Sequence, residues 1–172
     1  MTNKTKNILT TLWVIVVLAV FSVGTFADEL EVRTTDLTYT WGPNHSFPVT
    51  LYQIGYTKTL TRGVGIRVMF GESDTQSDGH RYSSKIEQMF VFNIHRNINI
   101  GRDWVVQYGV NYTEYKEHGK SDTGTGYALA LQYNINSDYA IKVSYDEYYE
   151  KYNDHYGLEQ TKGVGLSLVS KF

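Results

Sequence analysis

Strict two-residue alternation limits what this chain can fold into more than any other feature. In its last ten residues, GVGLSLVSKF, one parity holds Val164, Leu166, Leu168 and Phe172. The other parity holds Gly163, Gly165, Ser167 and Lys171. Successive side chains of a strand point to opposite faces, so this segment has one apolar face and one small or polar face. A barrel-closing strand with lipid outside and a crowded interior inside requires that division.

Comparable alternation recurs in eight segments, at approximately 30–41, 48–60, 62–72, 83–95, 102–116, 123–135, 138–150 and 159–172. In the fifth, Trp104, Val106, Tyr108, Val110 and Tyr112 oppose Val105, Gln107, Gly109, Asn111 and Thr113. The third, sixth and seventh are equally regular, and each is long enough to cross a bilayer at a tilt, which takes about 9–11 residues. The first segment is predicted to face outward with Leu37, Tyr39 and Trp41, leaving Glu31 and Arg33 beyond the hydrocarbon. The second mixes Tyr52, Ile54 and Tyr56 with Val49 and Leu51 on the opposite parity, so its register stays open. The fourth is predicted outward at Phe90, Phe92 and Ile94, with Met89 and Val91 inside.

The connectors alternate too. Those after the second, fourth and sixth segments are short: Thr61-Arg62, residues 96–101, and Asn136-Ser137. Those after the third, fifth and seventh are long and polar, containing ESDTQSDGHRY, KEHGKSD and EKYNDHYGLE, while WGPNHSF after the first is shorter. Short turns at one end and long loops at the other are the pattern of an outer-membrane barrel. Residues 1–27 place Lys4 and Lys6 before an apolar run from Ile8 to Phe21 and end on Thr25-Phe26-Ala27. This reads as a secretory signal cleaved before Asp28, the alternative being a transmembrane anchor. The expected fold is therefore all-β: an eight-stranded antiparallel up-and-down transmembrane β-barrel over 28–172, preceded by a cleavable signal peptide over 1–27, in the bacterial outer membrane.

Composition narrows the function classes. Without the leader, 14 basic and 18 acidic side chains give a net charge near −4, which argues against a nucleic-acid partner. The absence of cysteine excludes disulfides and thiolate metal sites. The 15 tyrosines suit strands whose rings meet lipid while their hydroxyls meet headgroups or water.

With its leader, eight strands, alternating connectors and terminal GVGLSLVSKF, the chain resembles the small eight-stranded outer-membrane barrels, the group containing OmpX/Ail-like proteins and the membrane domain of OmpA. The resemblance spans nearly the whole of 28–172. Ser170 departs from it, because such terminal strands usually carry an aliphatic or aromatic residue there. The resemblance implies delivery by periplasmic chaperones and insertion by the outer-membrane assembly machinery into lipid and lipopolysaccharide. It further implies roles in adhesion, resistance to host defences or envelope integrity.

On these registers the interior holds three acids and three bases: Asp36, Glu87, Asp146, Arg67, Lys142 and Lys171. Arg67 and Glu87, on neighbouring third and fourth strands, are expected to pair. Eight strands enclose an interior that side chains can fill, so the charges must pair, and such a lumen is neither an open pore nor an acyl-chain pocket. Asp36, Asp146 and Lys171 would alternatively be solvated at the rims.

Catalysis would need a base near a nucleophile and a carboxylate, and His45-Ser46, His80 near Ser77-Asp78, and His118 near Ser121-Asp122 offer only loop residues. His45, His80, His118 and His155 fall one to each expected external loop, where they are weak candidates for a zinc or copper site. Their simpler reading is as solvated loop residues, and no cofactor is expected. The fourth external loop carries Tyr149, Tyr152 and Tyr156, suited to recognising a host or environmental surface, or else to an interfacial belt. The expected protein is monomeric and non-enzymatic, acting in surface interaction or envelope integrity. The alternatives are a lipid A-modifying deacylase or acyltransferase and a narrow solute channel.

Overall fold

The computed structural model describes residues 28–41, 45–60, 63–74, 76–77, 83–117, 119–151 and 158–172. The leader therefore lies outside the described residues. The strands are β1 (Asp28–Trp41), β2 (His45–Thr59), β3 (Val64–Ser73), β4 (Gln76–Ser77), β5 (Ser83–Ser84), β6 (Ile86–Asn99), β7 (Trp104–Glu117), β8 (Lys120–Asn134), β9 (Tyr139–Lys151) and β10 (Leu158–Lys171). Eight of them close into an antiparallel barrel in the order β1-β10-β9-β8-β7-β6-β3-β2, while β4 and β5 form a separate two-stranded hairpin between β3 and β6. The seam is sealed at one end by paired backbone bonds, Asp28 N to Phe172 O and Phe172 N to Asp28 O, each 3.0 Å.

Alternation becomes two surfaces. On β10 the outward row Val164, Leu166 and Leu168 is 57, 60 and 56% exposed, and Ser167 and Val169 between and beyond them are buried inside. Tyr52 and Ile54 on β2 are exposed, while Val49 and Leu51 point inward, which settles that strand's register. On β6, Met89 and Val91 are buried and Ile94 is exposed, with Phe90 and Phe92 half-buried on its side of the strand.

β1 departs from expectation. Leu37, expected to face outward, is buried inside, and Asp36, expected inside, is exposed on the outer face, where Thr50 Oγ1 donates to it at 3.0 Å. Glu31 and Arg33, expected beyond the hydrocarbon, are fully buried in the lumen. The parity of β1 is set by Leu30 and Val32, both exposed, and by the three ionisable residues Glu29, Glu31 and Arg33 that share the opposite face. Of Tyr39 and Trp41 only the backbone is described.

The turns follow from particular residues. Asn136 Oδ1 accepts from the backbone N of Asp138 and of Tyr139, both at 2.8 Å, closing the β8–β9 turn through its own side chain. Gly119, at φ +76°, occupies the left-handed position in the two-residue connection between Glu117 and Lys120, so KEHGKSD, expected to be a long loop, is mostly paired strand closed by a tight turn. Inside, glycine makes room: a Cβ at Gly165 would collide with the guanidinium of Arg33, and one at Gly163 would stand 2.6 Å from Leu37 Cδ2. The small inward residues of β10 are thus the floor on which large side chains of β1 lie.

The filled interior has two zones. One half of its length is polar and includes Glu29, Glu31, Arg33, Arg67, Asn93, His95, Gln132 and Lys142. The other, toward the long connectors, is an apolar cluster of Leu37, Val49, Leu51, Met69, Ile86, Met89, Val91, Tyr115 and Tyr148.

Candidate functional site

Glu31 is the centre of the polar zone and is 0% exposed. Lys142 Nζ, reaching from β9, lies 2.8 Å from its Oε2, and Arg67 Nη1, from β3, lies 3.4 Å from the same oxygen. Ser167 Oγ on β10 donates to Oε1 at 2.6 Å. A carboxylate removed from water needs ionic partners and its remaining lone pairs filled, and this one has both. Lys142 also stands 4.0 Å from Glu29 Oε2, and Gln132 Nε2 donates to Glu29 Oε1 at 3.3 Å.

A second pair sits beside the first. The Arg33 guanidinium donates to Asp146 Oδ2, and Asn111 Nδ2 donates to Asp146 Oδ1 at 3.2 Å. Asn93 Nδ2 donates to Asn111 Oδ1 at 2.7 Å, and His95 Nδ1 lies 2.7 Å from Asn93 Oδ1. The central network therefore contains three acids, Glu29, Glu31 and Asp146, and three bases, Arg33, Arg67 and Lys142. Its formal charge cancels, which is what a low-dielectric interior without counterions demands.

The network's membership differs from the sequence expectation. Arg67, Lys142 and Asp146 face the lumen, but Glu87 does not reach Arg67. It sits near the far end of β6, beside a register irregularity between Ile86 and Gln88, and pairs with Lys116 at 2.8 Å in a half-exposed contact. Arg67 finds Glu31 instead, two strands away across the lumen. Lys171 is half-buried at the opposite rim, where its Nζ donates to Asn134 Oδ1. The pairs that matter cross the barrel rather than join adjacent strands, so strand-neighbour reasoning missed Glu31 and Arg33. Three ionisable residues of one parity, Glu29, Glu31 and Arg33, were the available signal.

A second cluster lies on the outer wall. Glu147 faces outward yet is only 5% exposed, because Tyr127 and Tyr145 donate to its Oε2 and Tyr149 and Gln160 Nε2 donate to its Oε1. The ring of Tyr127 stands 6.5 Å from those of Tyr145 and of Tyr149. Tyr149, expected to serve recognition, has its hydroxyl committed to the barrel's own carboxylate. Tyr152 and Tyr156 lie outside the described residues, as do His80, His118 and His155, and of His45 only the backbone is described. Ser77 is likewise described only in its backbone and Asp78 lies outside, so none of the three loop groupings of histidine with serine falls wholly within the described side chains.

A closed antiparallel eight-stranded wall, apolar outside and charged inside, matches several solved structures. The crystal structure of Neisserial surface protein A matches with a TM-score of 0.69 at 11% identity, covering 85% of this chain and 99% of that one. The fold is that of the small eight-stranded outer-membrane barrels. The N-terminal β-barrel domain of Pseudomonas aeruginosa OprF matches with a TM-score of 0.60 at 15% identity, over 87% of this chain and 99% of that one. Ail of Yersinia pestis, crystallised with the heparin analogue sucrose octasulfate, matches this barrel with a TM-score of 0.59 at 12% identity, over 86% and 99%. No protein-family model and no curated protein sequence matches the chain. At these identities the shared property is the outer-membrane barrel architecture itself.

Proposed function

We propose that the protein is a non-enzymatic, non-conducting barrel of the bacterial outer membrane that presents its long-connector end to the exterior for surface contact or envelope integrity. Export by a signal peptide over 1–27, cleaved before Asp28, belongs to the same proposal. The observation that carries it is the interior, charge-balanced around Glu31 and closed by packed apolar side chains, which offers neither a pore nor an acyl-chain pocket. A supporting feature is strand length: β7 and β8 have 14 and 15 residues, whereas crossing lipid takes about 9–11, so the wall extends beyond the membrane.

The chemistry of that extension favours a neutral or cationic partner. Among the described side chains Glu72, Asp74, Glu114 and Asp122 lie toward the outer ends of the strands against the exposed bases Lys85 and Lys162, and Lys116 there is already paired with Glu87. A polysulfated ligand, of the kind seen with Ail, would meet like charge. Tyr152 and Tyr156, with the exposed ring of Tyr149 whose hydroxyl is held by Glu147, are the proposed recognition residues, because aromatic anchors dominate such contacts.

The test is binding of cells displaying the protein to panels of purified glycans and matrix proteins. Changing Tyr149, Tyr152 and Tyr156 together to Ser is expected to abolish the wild-type signal, and changing Lys116, Glu117 and Lys120 to Ser to reduce it less. Equal binding at equal surface display removes the recognition role. An altered lipid A acyl pattern in cells lacking the protein would favour lipid A modification instead.

A further inference from the structure

We infer that the apolar layer of Leu37, Val49, Leu51, Met69, Met89 and Val91 is the seal of the barrel, and that water enters the charged interior from the opposite, periplasmic end only. The inference rests on the membrane orientation proposed above. It assigns the barrier to a part of the molecule other than the ion pairs.

The layer is built by inward side chains of four neighbouring strands, β1, β2, β3 and β6. Leu37 and Val49 are direct cross-strand partners, and Leu37 lies over Gly163 of β10. Met69 lies over Gly55 of β2, where a Cβ would be 2.7 Å from its Cγ, and is the cross-strand partner of Val91. Met89 pairs with Gly71 on one side and Tyr115 on the other. All six are at most 4% exposed. None of these six side chains has an oxygen or nitrogen to hold water, Tyr115 and Tyr148 being the hydroxyl-bearing members of the same cluster, and an apolar constriction excludes ions by dewetting. The guanidinium of Arg33 meets its underside, with Nη1 3.9 Å from Met69 Sδ.

Below the layer the chemistry reverses. Glu29 Oε2, Arg33 Nε, Gln53 Nε2, Thr57 Oγ1, Arg67 Nε, His95 Nε2 and Ser144 Oγ are buried and have no hydrogen-bond partner in the protein. Each such atom costs about 1–3 kcal/mol unless water meets it. They run from Thr57, two residues from the end of β2, to Ser144 in mid-barrel and Arg33 against the seal, and among the described residues Thr113 Oγ1, whose residue pairs with Val91, lies at the level of the seal itself. Buried polar groups are normally satisfied, so the side of the seal holding these atoms is the side that admits water.

The chain has no cysteine, so single cysteines report accessibility without background. Thr57→Cys, Ser144→Cys and Val49→Cys in the full folded barrel are to be treated with a small water-soluble methanethiosulfonate. The expected order of rates is Thr57→Cys, then Ser144→Cys, with Val49→Cys at least tenfold slower than Ser144→Cys although it lies nearer the outer mouth. Val49→Cys reacting as fast as Ser144→Cys, or Ser144→Cys failing to react, overturns the inference. In planar bilayers, Leu37→Ser with Leu51→Ser should give a stable ion conductance where Glu31→Gln with Lys142→Met gives none, and the reverse result also overturns it. Stable conductance by the wild type would overturn the proposed function as well, whereas a flat reactivity order in a non-conducting wild type removes the seal alone.

Discussion

Glu31 and Glu147 are two nearly inaccessible carboxylates on opposite faces of one wall, and they are satisfied by different means. Inside, Glu31 is held by the cations Lys142 and Arg67 with one hydroxyl, Ser167. Outside, Glu147 is held by three tyrosine hydroxyls and the amide of Gln160, all neutral. The difference follows from where compensating charge can come from. A closed lumen has no counterions, so its charges must cancel among themselves. On the orientation proposed above, Glu147 lies toward the membrane–water boundary, where tyrosines are the usual interfacial residues and neutral donors suffice.

The sharpest way to break this comparison is Glu31→Ala. It strands Lys142 and Arg67 beside each other, and denaturant unfolding of the barrel in lipid vesicles is expected to show a loss of about 3–5 kcal/mol. A loss no larger than that of the outer-wall changes would mean that the interior charges are not interdependent. Next in size are Tyr127→Phe and Tyr149→Phe, which each remove one donor from Glu147 while keeping the ring. Each should cost about 0.5–1.5 kcal/mol in the same measurement, because one hydrogen bond is lost and three donors remain. Smallest is Glu87→Ala, which breaks a half-exposed pair with Lys116 and should change stability by less than about 1 kcal/mol. A larger effect would place Glu87 within the interior network after all.

The outer faces of β7 to β10 were legible in the sequence because lipid exposure imposes one chemical demand along a whole strand. Val164, Leu166 and Leu168 answer it without exception. β1 was misread because alternation states that two faces differ and not which is inner. Its outward row mixes Leu30 and Val32 with Asp36, and its inward row mixes Glu31 and Arg33 with Leu37. The strand passes from the charged zone of the lumen into the apolar zone, so its inward chemistry changes sign midway. The ion pairs were illegible for another reason: Arg33 and Asp146 are 113 positions apart and Glu31 and Lys142 are 111 apart, and only barrel closure brings them together. The arrangement around Glu147 was hidden similarly, since Tyr127 and Gln160 belong to strands on either side of it.

The hydroxyl of Ser167 reaches Glu31 across a separation of 136 positions, the one between the first barrel strand and the last. The carboxylate therefore stays incompletely satisfied for as long as β10 is undocked, however well the other hairpins have formed. Contacts of such sequence separation form late, because the loop they close is long. The central glutamate thus acts as a proofreader of assembly: a sheet that has not curled shut carries an electrostatic debt in its middle, and docking of the final strand discharges it.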